Sequence, residues 1–268
     1  MMPYPMLQLV SDGIKRLAVY RDPLSRPMDA VIWLHGGNGD ATEFLNGIRP
    51  RVDVIDIAPQ GLVTDSNPGW TNPWESDIPE DAIDNLIDIR FMALLEAQIR
   101  FKFSYVKRVW LCGFSAGGGL VWSVWAMRPV IPQTFNGLCA VGKKLRRSSE
   151  KSWKWNAEAV PAIPFVMING DSDSPDDESA ESSEHFSWQK SYAQARLVNG
   201  NTNNESSISS FPVCGESSNK VRLKIASVGK ATTARYVVEG MGHVWQCSET
   251  CHTDDLVIER FRAFGLGR

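Results

Sequence analysis

The sequence lacks the features that mark several classes of protein. No apolar run approaches the roughly 20 residues that cross a bilayer as a helix. No basic stripe stands out: 28 Lys and Arg face 31 Asp and Glu, a net charge of −3, which argues against a nucleic-acid partner. The start, Met1-Met2-Pro3-Tyr4-Pro5, has no charged segment followed by an apolar one, so the chain as written is expected to carry no secretory leader. Histidines are few, at four, and that scarcity narrows the search for a proton-handling residue.

Cysteines number five. Cys112 and Cys139 stand in apolar, strand-like stretches and are expected as buried thiols. Cys214, Cys247 and Cys251 stand in polar surroundings, where a disulfide would imply an oxidising compartment. No metal site is expected at Cys247–Cys251: His252 is the only nearby nitrogen ligand, and structural zinc sites take four ligands.

What is present suits an ordinary folded domain. A length of 268 residues fits a single α/β domain with insertions, and 43% apolar residues are ample for a core. Ten tryptophans are many for this length. Packing accounts for some; others, including Trp70, Trp74, Trp153, Trp155 and Trp245, stand beside Gly, Pro and Asn in expected loops, where aromatics often line a cleft.

Along the chain, strand-like and helix-like stretches alternate. Lys15–Tyr20 alternates and reads as an edge strand. Asp29–Leu34, Val52–Ile57, Arg108–Cys112, Gly137–Val141, Phe165–Ile168 and Arg235–Val238 read as further strands. Helical spacing marks Asp81–Phe101, Leu120–Met127, His185–Val198 and Leu256–Phe264. Residues 143–160, basic and tryptophan-bearing, are expected as a lid, and the Asn/Ser-rich residues 199–220 as a mobile loop. The alternation predicts a mostly parallel, twisted sheet with helices on both faces. In such sheets ligands sit beyond the carboxyl ends of the strands.

The chemically suggestive residues fall at those ends. Gly113-Phe114-Ser115-Ala116-Gly117 follows one strand and opens a helix, the pattern of a nucleophile elbow. A sharp turn holds the serine there, and the helix start aims free N–H groups at a developing negative oxygen. His35-Gly36-Gly37-Asn38-Gly39 follows another strand and matches the loop that supplies a second such donor. The backbone N–H groups of Gly37 and Ala116 are the candidate oxyanion donors. His35 reads as a structural pin for its loop.

A base that accepts and returns a proton near neutral pH should be histidine. His243, in Gly240-Met-Gly-His243-Val-Trp245, follows the last strand and fits the chain order Ser, Asp, His. His185 and His252 stand among polar residues. For the carboxylate, Asp171, Asp173, Asp176 and Asp177 compete, with Asp171 and Asp173 ahead by position alone.

At these segments the chain resembles the polyhydroxybutyrate depolymerase/feruloyl esterase (LpqC-like) branch of serine esterases with the α/β-hydrolase fold. The matching pieces are Leu34–Gly37, Ala58-Pro-Gln-Gly61, Val109–Gly118, Asn169–Asp173 and Gly240–Trp245; the likeness extends from Lys15 to Phe264. It implies an α/β-hydrolase fold and a catalytic triad of Ser115, Asp173 and His243, which separates Asp173 from Asp171. It implies a pocket wall at Trp245; Trp70 and Trp74, from their place in an expected loop, are further substrate-binding candidates. It also implies secretion, whereas the start of the chain as written favours the cytoplasm. Gly37 departs from the family's frequent Cys, which leaves the backbone donor intact. The expected substrate is a small-molecule or oligomeric ester, short-chain, hydroxyalkanoate or feruloyl. No metal or organic cofactor is expected to be needed. Amide hydrolysis on the same residues and a catalytically silent binding protein are the rival readings; the motifs do not separate ester from amide.

Overall fold

The structure, a computed structural model, describes residues 4–21, 25–64, 67–69, 86–129, 131–145, 159–173, 186–201, 205–211, 221–245 and 252–267. Strands are β1 (Met6–Ser11), β2 (Ile14–Tyr20), β3 (Asp29–Leu34), β4 (Ile55–Pro59), β5 (Leu62–Thr64), β6 (Asn67–Gly69), β7 (Arg108–Phe114), β8 (Gly137–Val141), β9 (Phe165–Gly170), β10 (Ser206–Phe211), β11 (Val221–Ala226) and β12 (Thr233–Val238). Helices are α1 (Ala41–Asn46), α2 (Ile87–Lys102), α3 (Ala116–Ala126), α4 (Trp188–Val198) and α5 (Thr253–Phe264).

Among the described residues, ten strands form one sheet in the order β1-β2-β4-β3-β7-β8-β9-β12-β11-β10. The central six, β4 to β12 in that order, are parallel. An antiparallel pair extends each side.

The central strands read as continuous apolar runs because both their faces are covered. Side chains alternate between two cores. Ala30, Ile32 and Leu34 of β3, Val109 and Leu111 of β7, and Phe165 and Met167 of β9 pack on the side of α2, α3 and α4. Val31 and Trp33, Trp110 and Cys112, and Val166 and Ile168 pack on the side of α1 and α5. The period of two thus fills both layers from the same strands. Cys112 and Cys139 are buried free thiols, as their apolar surroundings imply. By contrast β1 alternates exposed and buried positions, as a strand with one solvated face does.

The expected mostly parallel sheet with helices on both faces is present, with local differences. Lys15–Tyr20 is not at the edge: β1 lies outside β2. The third strand begins later than its composition suggests, at Ile55. The stretch 199–220 is in part a strand, β10, paired with β11; residues 202–204 and 212–220 lie outside the described residues, as does most of the expected lid. The start of the helix expected from Asp81 also lies outside them. Helix α1 is short, and Asp40 caps it by accepting from the N–H groups of Thr42 and Glu43 at 2.8 and 2.9 Å. Among the described residues no helix is long and apolar enough to cross a membrane.

Buried charges tie strand to helix and strand to strand. Arg16 of β2 meets Asp88 of α2 at 2.5 Å, with Asp88 fully buried and Arg16 stacked over Phe91 at 4.1 Å. Asp29 accepts two hydrogen bonds from Arg108 and one from Trp110. Removing one member of a buried pair strands the other charge, at a cost of about 3–5 kcal/mol. Asp88→Ala should therefore lower the urea midpoint sharply with little change in the denaturant slope; an unchanged midpoint would show that the pair does not hold α2 to the sheet.

Candidate active site

The carboxyl ends of the parallel strands open on one edge of the sheet, and five segments meet there. The turn between β7 and α3 places Ser115 at φ 51°, ψ −116°, a strained conformation for a residue with a side chain. Its N–H donates to the Val141 carbonyl at 2.9 Å, and its own carbonyl accepts from Gly119 at 3.0 Å. The turn needs glycine on both sides. A Cβ on Gly113 would lie 2.2 Å from the Gly117 carbonyl oxygen, and one on Gly117 would lie 2.6 Å from the His35 carbonyl oxygen. The helix start and the 35–39 loop are therefore in backbone contact. Across it, a Cβ placed on Gly37 would sit 3.9 Å from that of Ala116, so the residues that carry the two candidate oxyanion donors are neighbours.

His243 arrives on the loop after β12. Its Nε2 lies 2.8 Å from Ser115 Oγ, and its Nδ1 lies 3.1 and 3.2 Å from the two oxygens of Asp173. A carboxylate only accepts, so Nδ1 carries the proton and donates to Asp173. Nε2 is then free to accept from the serine hydroxyl. The structure thus brings Ser115, Asp173 and His243 into one hydrogen-bonded line. Asp173 is largely covered, while His243 is about half exposed.

Asp171, the other leading carboxylate, does different work. Its Oδ1 accepts from the Gly240 N–H at 2.7 Å and from Ser172 Oγ at 3.2 Å. The backbone of Ser172 donates to the Met241 carbonyl at 3.1 Å. Gly170 lies beneath the same turn: a Cβ there would sit 1.7 Å from the Met241 oxygen. The end of β9 therefore holds the His243 loop directly. Asp176, Asp177 and His185 lie outside the described residues.

The hydrogen bond that the ring donates to Asp173 raises the His243 pKa above the ordinary 6.5; burial opposes this, the Asp173 charge adds to it, and the Lys143 charge opposes it. The Phe114 ring lies against the imidazole, with centroids 5.2 Å apart. Trp245 packs edge-on to Phe44 at 5.0 Å, and to Trp33 and Phe114 at 6.1 Å each. It belongs to an aromatic group beside His243. Trp70 and Trp74 lie outside the described residues.

His35 is buried, and burial lowers its pKa from 6.5 against the opposing Gly36 hydrogen bond and the Asp40 and Asp88 charges. Its Nδ1 lies 2.7 Å from the Gly36 carbonyl, and its Nε2 accepts from the Gly61 N–H at 3.1 Å. These partners require the neutral ring with its proton on Nδ1. Sequence reasoning missed Gln60, which joins the same loop; its place in Ala58-Pro-Gln-Gly61, directly after a strand, was the available signal.

The topology and this strand–turn–helix edge define the α/β-hydrolase fold. Solved structures agree. The chain is similar to a highly thermostable carboxyl esterase from Bacillus coagulans at 12% identity, over 100% of both chains, with a TM-score of 0.58. It is similar to poly(aspartic acid) hydrolase-1 from Sphingomonas sp. KT-1 at 13% identity, over 90% of this chain and 94% of that one, with a TM-score of 0.60. Acyl-protein thioesterase 2 from Zea mays is similar at 15% identity, over 92% and 98% of the two chains, with a TM-score of 0.52. At these identities the likeness is one of fold. No family model matches the sequence, and no curated protein matches it significantly.

The imidazole titration is open to direct measurement. By proton NMR, His243 should titrate above 6.5. In Asp173→Asn the midpoint should fall, because burial and Lys143, which act downward, then stand without the carboxylate. An unmoved midpoint would remove Asp173 as the partner of the ring.

Proposed function

We propose that this protein is a serine hydrolase that cleaves carboxylic esters through an acyl-enzyme on Ser115. The observation that carries the reading is the hydrogen-bonded line from Ser115 Oγ through His243 to Asp173, at 2.8 and 3.1 Å, set on a strained strand-to-helix turn.

In this reading Ser115 Oγ attacks the ester carbonyl as His243 Nε2 takes its proton. Asp173 holds the ring with Nδ1–H toward itself and stabilises the imidazolium. The N–H groups of Gly37 and Ala116 receive the oxyanion of the tetrahedral intermediate. His243 then protonates the departing alcohol, and water repeats the cycle on the acyl-enzyme. The base must be neutral to begin. Since Asp173 raises the His243 pKa, activity is full above that pKa and falls as the pH drops through it.

The finer reading places the protein with polyhydroxybutyrate depolymerase-like and feruloyl esterase-like enzymes, acting on short-chain, hydroxyalkanoate or feruloyl esters. Support comes from the sequence resemblance and from the aromatic group around Trp245. Trp245 is proposed as one wall of the pocket, with Trp70 and Trp74 as further candidates. The likeness to a poly(aspartic acid) hydrolase favours a second reading, amide-bond hydrolysis by the same three residues.

A panel of matched ester and amide substrates separates the two. Esters should be cleaved and the matched amides should not. Ser115→Ala should lose on the order of 10⁴ to 10⁶ in kcat, and a fluorophosphonate probe should label Ser115 of the natural protein alone. Faster cleavage of the amides would overturn the ester reading, and an unlabelled Ser115 would overturn both. Trp245→Ala should change the preference between aryl and alkyl esters; an unchanged preference would take Trp245 out of the pocket.

A further inference from the structure

The loop that carries Gly37 has no regular secondary structure between Leu34 and the start of α1 at Ala41. An oxyanion donor on such a loop must nevertheless be held closely, because displacements of about 1 Å can cost on the order of 10² in rate. The cleft side of the loop must stay open to substrate. Its support therefore has to come from behind, and two side chains provide it.

Gln60 leaves the end of β4, where its own N–H donates to the Leu17 carbonyl at 2.9 Å. Its side-chain Oε1 accepts from the Ala41 N–H at 2.9 Å. Its Nε2 donates to the Gly39 carbonyl at 3.1 Å and lies 3.3 Å from His35 Nε2. A longer approach to the Gly61 carbonyl measures 3.4 Å. The partners fix which way the amide faces, since an N–H must meet the oxygen and a carbonyl must meet the nitrogen. His35 completes the arrangement from the other end of the loop through Gly36 and Gly61. The loop is thus held at Gly36, Gly39 and Ala41, on both sides of Gly37.

We propose that Gln60 and His35 form a positioning clamp that fixes the Gly36–Gly39 loop so that the Gly37 N–H meets the transition-state oxygen. The proposal rests on the serine-hydrolase reading and adds to it a residue that never touches substrate. Gln60 sets the rate by placing a donor; substrate affinity does not depend on it.

The test uses the full chain with a p-nitrophenyl ester as substrate. Gln60→Ala removes the clamp. Gln60→Glu keeps the size and the acceptor for Ala41 but sets a carboxylate oxygen against the Gly39 carbonyl. Both variants should lose about 10- to 100-fold in kcat, a part of what losing a whole oxyanion donor costs, with KM within about threefold. An alkyl trifluoromethyl ketone forms a tetrahedral oxyanion on the serine, so its inhibition constant should rise by the same factor as kcat falls. A merely structural role would not couple those two numbers. Should Gln60→Ala fail to fold, Gln60→Glu decides alone. Unchanged kcat in the folded variants, or a fall in kcat with unchanged inhibition, overturns the clamp while Ser115 remains labelled by fluorophosphonate. If Ser115 of the natural protein is not labelled, the hydrolase reading falls and takes the clamp with it.

Discussion

A strand end and a helix start meet at Gly113 and Gly117 with no side chain between them, and the site depends on that contact. It lets the chain reverse within a few residues and holds Ser115 at positive φ. It also seats the first turn of α3 against the His35 carbonyl, which brings the 35–39 loop beside the serine. A methyl group at Gly113 would push the strand end off the helix start, and one at Gly117 would push that helix start off the loop that carries Gly37. The strain at the turn is borne by the surrounding parallel strands, whose interior positions on β3, β7, β8 and β9 are fully buried.

The other half of the site is built by the same means. The loop after β12 lies on the end of β9 through Gly170, Asp171 and Ser172. Asp173 is the next residue, so one short segment both seats the His243 loop and supplies the partner of its ring. This explains why two carboxylates so close in sequence have different surroundings. The oxygen of Asp171 is occupied by the Gly240 N–H, whereas Asp173 faces Nδ1. The charge arrangement then follows. A covered carboxylate lies on one side of a half-exposed imidazole, the Lys143 charge opposes it, and the balance raises the basicity of the ring.

Much of the fold was legible because the central strands are buried on both faces and so appear as unbroken apolar runs. The less legible elements fail for identifiable reasons. Helix α1 is only six residues long, too short to display a helical period, although Asp40 followed by Glu43 is a capping signal. Strand β10, Ser-Ser-Ile-Ser-Ser-Phe, has little apolar content and is held by pairing with β11. Strand β11, Val-Arg-Leu-Lys-Ile-Ala, does alternate, and its missed assignment reflects the polar stretch before it. Lys15–Tyr20 reads as an edge strand because nothing within it reveals that β1 folds back alongside.

Local residue order was enough to read the class of fold, the strand-to-helix turn at Ser115, the glycine loop after His35 and the nomination of His243 among four histidines. By position alone it left Asp171 and Asp173 unseparated, a tie that the family resemblance broke toward Asp173, and it gave Gln60 no role. The hydrogen bonds that these residues make are set by tertiary structure. Hydrogen bonds between segments 19 to 128 residues apart depend on how strand ends are brought side by side, and no local pattern of residues encodes that distance.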